Sequence, residues 1–185
     1  MLLVSALIVL ALTQSLLILG LLTLIASVGA RPPFVPVPAE ILPDIVRALE
    51  IRPGLVVCDL GCGDARVLAA CSRAEPRASY VGVEKGIYPW LAAVMQSWKF
   101  GRTGNISVRR QNFFETDLAG FDRLFLYLYP DVNARLLPKL KKELKPGSLV
   151  VTCDFDFPGL RADSIVDLPG RFLERRGKRL LVYRF

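Results

Sequence analysis

Histidine is absent from this chain of 185 residues. Its absence excludes Ser-His-Asp triads, histidine metal sites and histidine general bases in one step. Cysteine is scarce, and its spacing lacks the close pairs that zinc or iron–sulfur sites require, so we predict no metal site. We interpret the cysteines as small core residues in a reducing compartment. The four are Cys58, Cys62, Cys71 and Cys153.

Charge is missing from the first 30 residues, since all 24 Lys and Arg and all 17 Asp and Glu follow them. This apolar run exceeds the roughly 20 residues that cross a bilayer. We predict an uncleaved transmembrane anchor over residues 1–30. The rival is a cleaved signal peptide with Val28 and Ala30 at its cleavage site. A missing basic start and the length of the run favour the anchor.

The rest of the chain carries the whole net charge of +7 and suits one domain. Residues 31–38 include four prolines and predict a stiff linker, so we place the domain at residues 39–185. Basic residues after the anchor predict a single-pass protein of the inner, cytoplasmic membrane with its domain in the cytoplasm. The charge also suggests an acidic partner, for which an anionic membrane surface and nucleic acid are candidates.

Residues 55–66 read LVVCDLGCGDAR and predict a buried strand, a glycine turn and a helix. At such a turn Gly61 and Gly63, with Cys62 between them, let a ligand approach the backbone, and the helix N-terminus offers free N–H groups to a negative group. A dinucleotide fingerprint wants a small residue where Arg66 stands. Asp59 places a carboxylate at the strand end, facing a ligand's amine or hydroxyl donors. Together these features favour S-adenosylmethionine over NAD.

Two further strand ends supply candidate cofactor contacts. The predicted second strand, Ser79–Val83, ends at Glu84, 25 residues beyond Asp59, where a carboxylate can accept bonds from a ribose hydroxyl pair. After a third strand, Asn112 is a candidate to read an adenine edge and Phe113 to stack on its face. The alternative is that two core phenylalanines simply follow this strand.

The remaining pattern predicts a Rossmann-like, doubly wound α/β sheet of seven strands, preceded by one N-terminal transmembrane helix. The last two strands form a hairpin, so the final strand is antiparallel. The loop after the fourth strand lies across the switch point from the glycine turn, where substrate should meet the methyl group. The other predicted segments are strands 106–110, 121–129, 148–153, 164–168 and 179–185, a helix opened by Pro89, the loop 130–133 and a lysine-rich helix around 136–144.

Four motifs, FVPVP, DLGCGDAR, VGVE followed by PWL, and CDFDFP, give the chain a family resemblance from Phe34 to Pro158. It resembles the class I, seven-β-strand SAM-dependent methyltransferases. More narrowly, it is similar to the membrane-associated ATP synthase c-subunit lysine methyltransferase family and to archaeal protein-lysine methyltransferases. The resemblance implies SAM as cofactor and a membrane-associated protein substrate.

A lysine acceptor must lose its proton, and we expect the pocket for it at the end of the predicted fourth strand and in the loop that follows. The candidate residues are Tyr127, Tyr129, Asp131 and Asn133. Methylation of a small amphiphilic molecule and an inactive SAM-binding adaptor domain are the alternatives. Nucleic acid is disfavoured, because the basic charge is spread out and the YPDV stretch lacks an NPPY-like loop.

Overall fold

The structure is a computed structural model that describes residues 2–28, 35–100, 105–168 and 176–185. The chain divides into two compact units, Met1–Pro33 and Phe34–Phe185. The first contains one helix, α1 (Leu2–Val28), which is about 40 Å long at 1.5 Å per residue. Its segment Val4–Leu21 has a mean hydropathy of 2.3 and none of it is buried. The helix is long and apolar enough to be a membrane anchor, and a signal sequence has the same two properties.

The second unit contains a seven-stranded sheet with the order β3-β2-β1-β4-β5-β7-β6. Among the described strands β7 runs opposite to the others, since it pairs antiparallel with both β5 and β6 while the other pairings are parallel. The predicted doubly wound sheet with an antiparallel last strand is therefore confirmed. The strands are β1 (Val56–Leu60), β2 (Ser79–Glu84), β3 (Ile106–Arg110), β4 (Arg123–Leu126), β5 (Leu149–Cys153), β6 (Ser164–Asp167) and β7 (Arg179–Arg184).

Helices cover both faces of this sheet because successive strand residues point to opposite sides. In β1, Val57 packs into a core with residues of α2 and α3, whereas Cys58 and Leu60 pack into a second core with α5. Burial on both faces explains why the central strands read as continuous apolar runs. The helices are α2 (Leu42–Ala48), α3 (Arg66–Ala74), α4 (Ile87–Phe100) and α5 (Pro130–Glu143), with short 3₁₀ turns at Ala39–Ile41 and Phe113–Glu115.

Three predicted boundaries were wrong. The fourth strand ends at Leu126, where its pairing with both neighbours stops, rather than at Tyr129. The predicted loop 130–133 is the first turn of α5: Tyr129 is extended and Pro130 occupies the first helical position, where its fixed φ and missing N–H suit a helix. Similarly, α4 begins at Ile87, two residues before Pro89.

Candidate cofactor and acceptor site

The glycine turn lies at the point where the strand order reverses, between β1 and β4. These strands are parallel neighbours with Leu60 opposite Leu126, so the segments that follow them leave the same edge of the sheet. Gly61 has a φ of 79°, and a Cβ built there would lie 3.2 Å from Cδ2 of Leu128. The turn and the segment after β4 are therefore in contact, as a doubly wound fold requires of a ligand crevice.

Backbone hydrogen bonds fasten the turn to the end of β2. The N–H groups of Gly61 and Cys62 both donate to the Val83 carbonyl, at 2.8 and 3.1 Å. The Gly63 N–H donates to Oε2 of Glu84 at 3.1 Å, and Oε1 of Glu84 accepts from Gly86 N–H at 2.7 Å. Glu84 thus holds the turn in place, and a carboxylate with about four acceptor sites keeps capacity for ribose hydroxyls.

The amino end of α3 is already bonded to a carboxylate of the protein. Asp64 accepts from the Arg66 N–H at 3.2 Å and pairs with the Arg66 guanidinium at 2.7 Å. This N–H is therefore not free for a ligand's negative group, and the expected role of the other N–H groups at the helix N-terminus stays a prediction. Arg66 also donates to the Val37 carbonyl at 3.0 Å, and Val37 is buried. An arginine at this position therefore joins the proline-rich segment to the turn.

Asp59 is only 2% exposed, directly before the turn. Burial raises the pKa of its carboxyl well above the ordinary value, and the nearby charges of Glu84 and Asp64 raise it further. The carboxyl groups of Asp59 and Glu84 beside the glycine turn suit a cationic ligand, whereas that of Asp64 is paired with Arg66. S-adenosylmethionine carries a sulfonium and an ammonium, both cationic, and therefore suits these carboxyl groups.

The raised pKa predicts that binding of a cationic cofactor tightens with pH. A cation beside Asp59 lowers the pKa of its carboxyl, so binding releases a proton wherever the free protein holds that carboxyl protonated. Between pH 5 and 7 we expect the association constant for SAM to rise with pH. Calorimetry in buffers of different ionisation enthalpy measures the proton released. The exposed Asp167→Asn variant is the matched control and keeps the wild-type slope, and a pH-independent constant contradicts the prediction.

Cys62 contributes packing through its side chain. The residue is 6% exposed, burial raises the pKa of its thiol, and it lies over Gly82 of β2. A Cβ built on Gly82 would come within 2.7 Å of the Cys62 Sγ and 3.1 Å of Leu68 Cδ1. The missing side chain of Gly82 therefore makes the room that Cys62 fills. The role of Cys62 as a cofactor contact stays a prediction.

We expect Gly82→Ala to destabilise the protein by about 1–3 kcal/mol, the usual cost of overpacking. Urea denaturation measures the loss. Cys62→Ala removes the sulfur that the new methyl group would strike, so the double variant should recover part of the loss. Gly120→Ala is a control, because a Cβ there meets nothing within 4 Å. Additive effects of Gly82→Ala and Cys62→Ala would contradict this packing.

The two adenine candidates lie just after β3. The Asn112 side chain caps the following 3₁₀ turn: its Oδ1 accepts from Phe114 N–H at 3.2 Å and its Nδ2 donates to Glu115 at 3.1 Å. Phe113 is 8% exposed and belongs to the core shared with α5, with its ring 4.8 Å from that of Phe114. The cofactor roles of Asn112 and Phe113 stay predictions.

The four acceptor candidates differ in their surroundings. Tyr129 is 41% exposed and Asp131 is exposed in the first turn of α5, so both face solvent. Asn133 is fully buried, and its Nδ2 donates at 3.2 Å to the carbonyls of Phe155 and Asp156, which ties α5 to the segment after β5. Burial and the charge of Asp154 raise the pKa of Tyr127. Asn133 therefore positions the backbone around the site rather than lining its surface.

Asp154, which the sequence pattern did not single out, connects three segments. It has a φ of 63° and follows β5. Its Oδ2 accepts from the Tyr127 hydroxyl at 3.2 Å and from Gly177 N–H at 2.7 Å, and its Oδ1 accepts from Lys178 N–H at 2.6 Å. A non-glycine residue in left-handed backbone persists only where its surroundings hold it there. The only sequence signal for Asp154 is that it belongs to the CDFDFP motif, and the motif does not indicate which residues it bonds.

Phe155 is a second residue that the sequence pattern did not single out. Its ring centroid lies 6.3 Å from that of Tyr127, with the ring planes 19° apart, and 5.7 Å from that of Tyr129. The three rings form an aromatic group at the carboxyl ends of β4 and β5. Such a group presents π faces that attract a cation.

Comparison with known proteins agrees with this geometry. Residues 59–164, more than half of the chain, match the family described as the ANTKMT methyltransferase domain. A protein-lysine N-methyltransferase of Saccharolobus islandicus is 33% identical over 134 residues, which cover 72% of this chain and 83% of that protein. The ATP synthase c-subunit lysine N-methyltransferase of Rattus norvegicus is 30% identical over 128 residues, which cover 68% of this chain but only 57% of the rat protein.

A solved structure also matches most of the chain. The crystal structure of an RNA methyltransferase from Salinibacter ruber in complex with S-adenosyl-L-homocysteine has a TM-score of 0.74 and 29% identity, covering 81% of this chain and 93% of that one. With the family match, the archaeal relative and a carboxylate-rich glycine turn that suits a sulfonium cofactor, the chain belongs to the ANTKMT methyltransferase family and is an S-adenosylmethionine-dependent methyltransferase.

Proposed function

We propose that this methyltransferase is anchored in a membrane and methylates the side-chain amine of lysine in a protein. The observation that carries the proposal is the similarity to the archaeal protein-lysine N-methyltransferase over 83% of that protein's length. The mammalian relative, which is named for the c-subunit of ATP synthase, points to the same acceptor group. We therefore infer a membrane-associated protein as the substrate.

Methyl transfer to lysine requires a neutral amine next to an aligned donor. The cofactor supplies a methyl group on a sulfonium, whose leaving group is already activated, so the protein's task is alignment and exclusion of water. A lysine amine has an ordinary pKa of about 10.4, so its deprotonation at pH 7 costs about 4–5 kcal/mol. Transfer of the amine out of water lowers that cost because desolvation disfavours the ammonium.

The aromatic group of Tyr127, Tyr129 and Phe155 suits that task. Its rings replace water around the amine and still attract the positive charge that develops on nitrogen during transfer. The raised pKa of Tyr127 keeps its hydroxyl protonated, and that hydroxyl donates to Asp154. The Tyr127 oxygen therefore has a lone pair left to accept an N–H of the amine and orient it. Asp131 and Asn133 complete the proposed pocket, the first at its rim and the second behind it.

We expect Tyr129→Ala to lower methyl transfer to the protein acceptor by about tenfold, since a cation–π contact contributes about 0.5–2 kcal/mol. The affinity for S-adenosylhomocysteine should stay at the wild-type value, which calorimetry measures. Tyr129→Phe retains the ring and should retain most of the activity. If the alanine variant weakened cofactor binding and transfer equally, Tyr129 would not belong to the acceptor pocket.

For the membrane, we propose that residues 1–30 form the anchor, residues 31–38 the linker and residues 39–185 the catalytic domain on the cytoplasmic side. The length and hydropathy of α1 support the anchor, and the basic residues that begin at Arg31 support the orientation. The anionic inner surface is then the expected neighbour of the domain. Carbonate extraction of cell membranes tests the anchor, because a cleaved signal peptide would leave the mature domain in the soluble fraction.

One observation favours a second candidate. The Salinibacter ruber structure is named an RNA methyltransferase, and its 29% identity is close to that of the lysine methyltransferases. The net charge of +7 would suit a polyanion. Against this candidate, an RNA substrate gives no reason for a membrane anchor.

The test compares three acceptor fractions in one assay. The full chain in detergent is incubated with radiolabelled SAM and a membrane and ribosome extract from cells that lack the protein, and protein, RNA and lipid are then separated. We expect label in a discrete protein band. Label in RNA would support the second candidate, and label in lipid would support methylation of a small amphiphile. Cofactor binding without label in any fraction would support the adaptor hypothesis and contradict the proposal.

A further inference from the structure

An exposed apolar stripe runs along α4. Trp98 is 80% exposed, Met95 69%, Leu91 44% and Tyr88 44%, with Ile87 at 48%. At 3.6 residues per turn these five side chains fall within about 100° of the helix circumference. We call them the α4 apolar face. Ala93 is buried on the opposite side of the helix, toward the core. Large apolar side chains gathered on one surface mark a binding site rather than ordinary exposure.

Along the sequence, the segment that contains α4 and β3 carries charge of one sign. The 26 residues from Lys85 to Arg110 contain five basic residues and no acidic residue. Lys85 and Lys99 are exposed at the two ends of α4, and Arg109 and Arg110 are exposed on β3, the edge strand on which α4 packs. Tryptophan and tyrosine beside lysine and arginine is the composition of helices that lie at a lipid interface.

We propose that the α4 apolar face docks onto an anionic lipid surface, with the basic residues around it contacting the headgroups. This goes beyond the proposed function and rests only on its membrane attachment. A tether at the bilayer raises the effective concentration of lipid at the domain, so a weak patch suffices for docking. An acidic protein would match the charge, but an apolar stripe with an aromatic residue near each end suits a lipid interface better.

Docking of this helix would also orient the catalytic site. α4 starts three residues after Glu84, and Gly86 between them donates its N–H to Glu84 at 2.7 Å. The docking surface therefore begins three residues after Glu84, the residue that holds the glycine turn. A domain docked in this way has its cofactor turn at the bilayer surface, where the side chain of a membrane-embedded acceptor emerges.

Fluorescence of Trp98 tests the proposal in the full chain. The chain has two tryptophans, so Trp90→Phe leaves Trp98 as the sole tryptophan, which is excited selectively at the red edge of its absorption. This variant is reconstituted in lipid nanodiscs of phosphatidylglycerol mixed with phosphatidylcholine, or of phosphatidylcholine alone, each with and without brominated acyl chains. We expect a blue-shifted emission and quenching by brominated lipid in the anionic discs, both weaker in neutral discs and at high salt.

Two pairs of variants identify the contacts. Lys85→Gln with Lys99→Gln should lower the docked fraction in anionic discs by about tenfold. The control, Lys141→Gln with Lys142→Gln, removes the same charge from exposed positions on α5 and should change nothing. Leu91→Gln with Met95→Gln should also abolish quenching. Its control, Ile165→Gln with Val166→Gln, alters exposed apolar residues of β6.

Each remaining outcome overturns the proposal. Trp98 that is fully accessible to acrylamide in both kinds of disc shows a face that does not touch lipid. If Trp98 in detergent becomes less accessible to acrylamide as the protein concentration rises, a second copy of the chain covers the face. Co-elution of the chain with the disc reports the anchor separately, and label transfer reports the methyltransferase, so failure of this proposal is distinguishable from failure of the proposed function.

Discussion

Asp59→Asn is expected to abolish cofactor binding and at the same time to make the cofactor-free protein more stable. Asparagine keeps the shape of the buried side chain but cannot pair with a cationic ligand. Loss of one partner of a buried charge pair costs about 2–5 kcal/mol, so the affinity for SAM should fall by at least about thirtyfold. Calorimetric titration of the full chain with SAM measures this effect.

The gain in stability follows from the direction of the pKa shift. Burial and the neighbouring carboxylates raise the pKa of Asp59 in the folded state above its unfolded value. Between those two pKa values the free energy of unfolding falls as pH rises, because the folded state retains a proton that the unfolded state has lost. A neutral amide avoids this loss. We expect a gain of about 1–2 kcal/mol at pH 7, seen as a rise in Tm of about 2–8 °C.

Asp64→Asn is the matched control for this prediction. Asp64 lies in the same turn but pairs with Arg66 and accepts from its backbone N–H. Its neutralisation should therefore lower Tm and leave most of the cofactor affinity. If Asp59→Asn lowered Tm as Asp64→Asn does, the burial of Asp59 would serve the fold and not the ligand.

Asp154→Ala should cost more stability than any other single change considered for this site. The carboxylate accepts two backbone N–H bonds at 2.6 and 2.7 Å, from Lys178 and Gly177, and the Tyr127 hydroxyl bond. Hydrogen bonds to charged groups contribute about 1.5–3 kcal/mol each, so the two backbone bonds alone give an expected loss of about 3–6 kcal/mol. Chemical denaturation of the full chain in detergent measures it.

Backbone conformation provides the controls. The left-handed φ of 63° at Asp154 costs an alanine about 1 kcal/mol that glycine does not incur. Asparagine tolerates this conformation and keeps one acceptor oxygen. The expected order of stability is therefore Asp, Asn, Gly and then Ala. A loss below about 1 kcal/mol for the alanine variant would mean that water replaces these bonds and that Asp154 is not a structural connection.

The local structure of the proposed cofactor half was largely predictable because its signals are local. A β-branched run, two glycines and a helical pattern within a dozen residues predict the strand, turn and helix between Val56 and Ala74. The acidic end of β2 follows from its spacing, and the structure brings Glu84 to the backbone of the turn. Because β1 and β2 are parallel neighbours, their carboxyl ends lie at one edge of the sheet. Contacts between the residues that follow them can therefore be predicted from the order of the strands.

The acceptor half was less predictable because its contacts are long-range. Asp154 meets the chain again 23 residues later at Gly177, and Asn133 bonds to carbonyls 22 and 23 residues away. No spacing rule connects such positions. Pro130 indicates a loop as readily as a helix start, because proline serves both purposes and only the extended backbone of Tyr129 distinguishes them.

The contact between Arg66 and Val37 has a visible signal in the sequence, but its meaning is ambiguous there. A large cationic residue stands where a dinucleotide motif wants a small one, which by itself only disfavours NAD. The structure gives this residue a partner in the proline-rich segment, 29 residues earlier. A side chain that departs from a motif can therefore have a structural partner far away in the sequence, in addition to disfavouring one kind of cofactor.

The most direct test of the central claim is to locate the transferred methyl group in the labelled protein by tandem mass spectrometry. The full chain, with Asp59→Asn as the inactive control, is supplied with SAM and membranes from cells lacking the protein. We predict that the mass of a methyl group appears on a lysine side chain in a membrane protein, with wild type only. A methyl group on another residue, or on no protein while RNA or lipid is modified, would contradict the account.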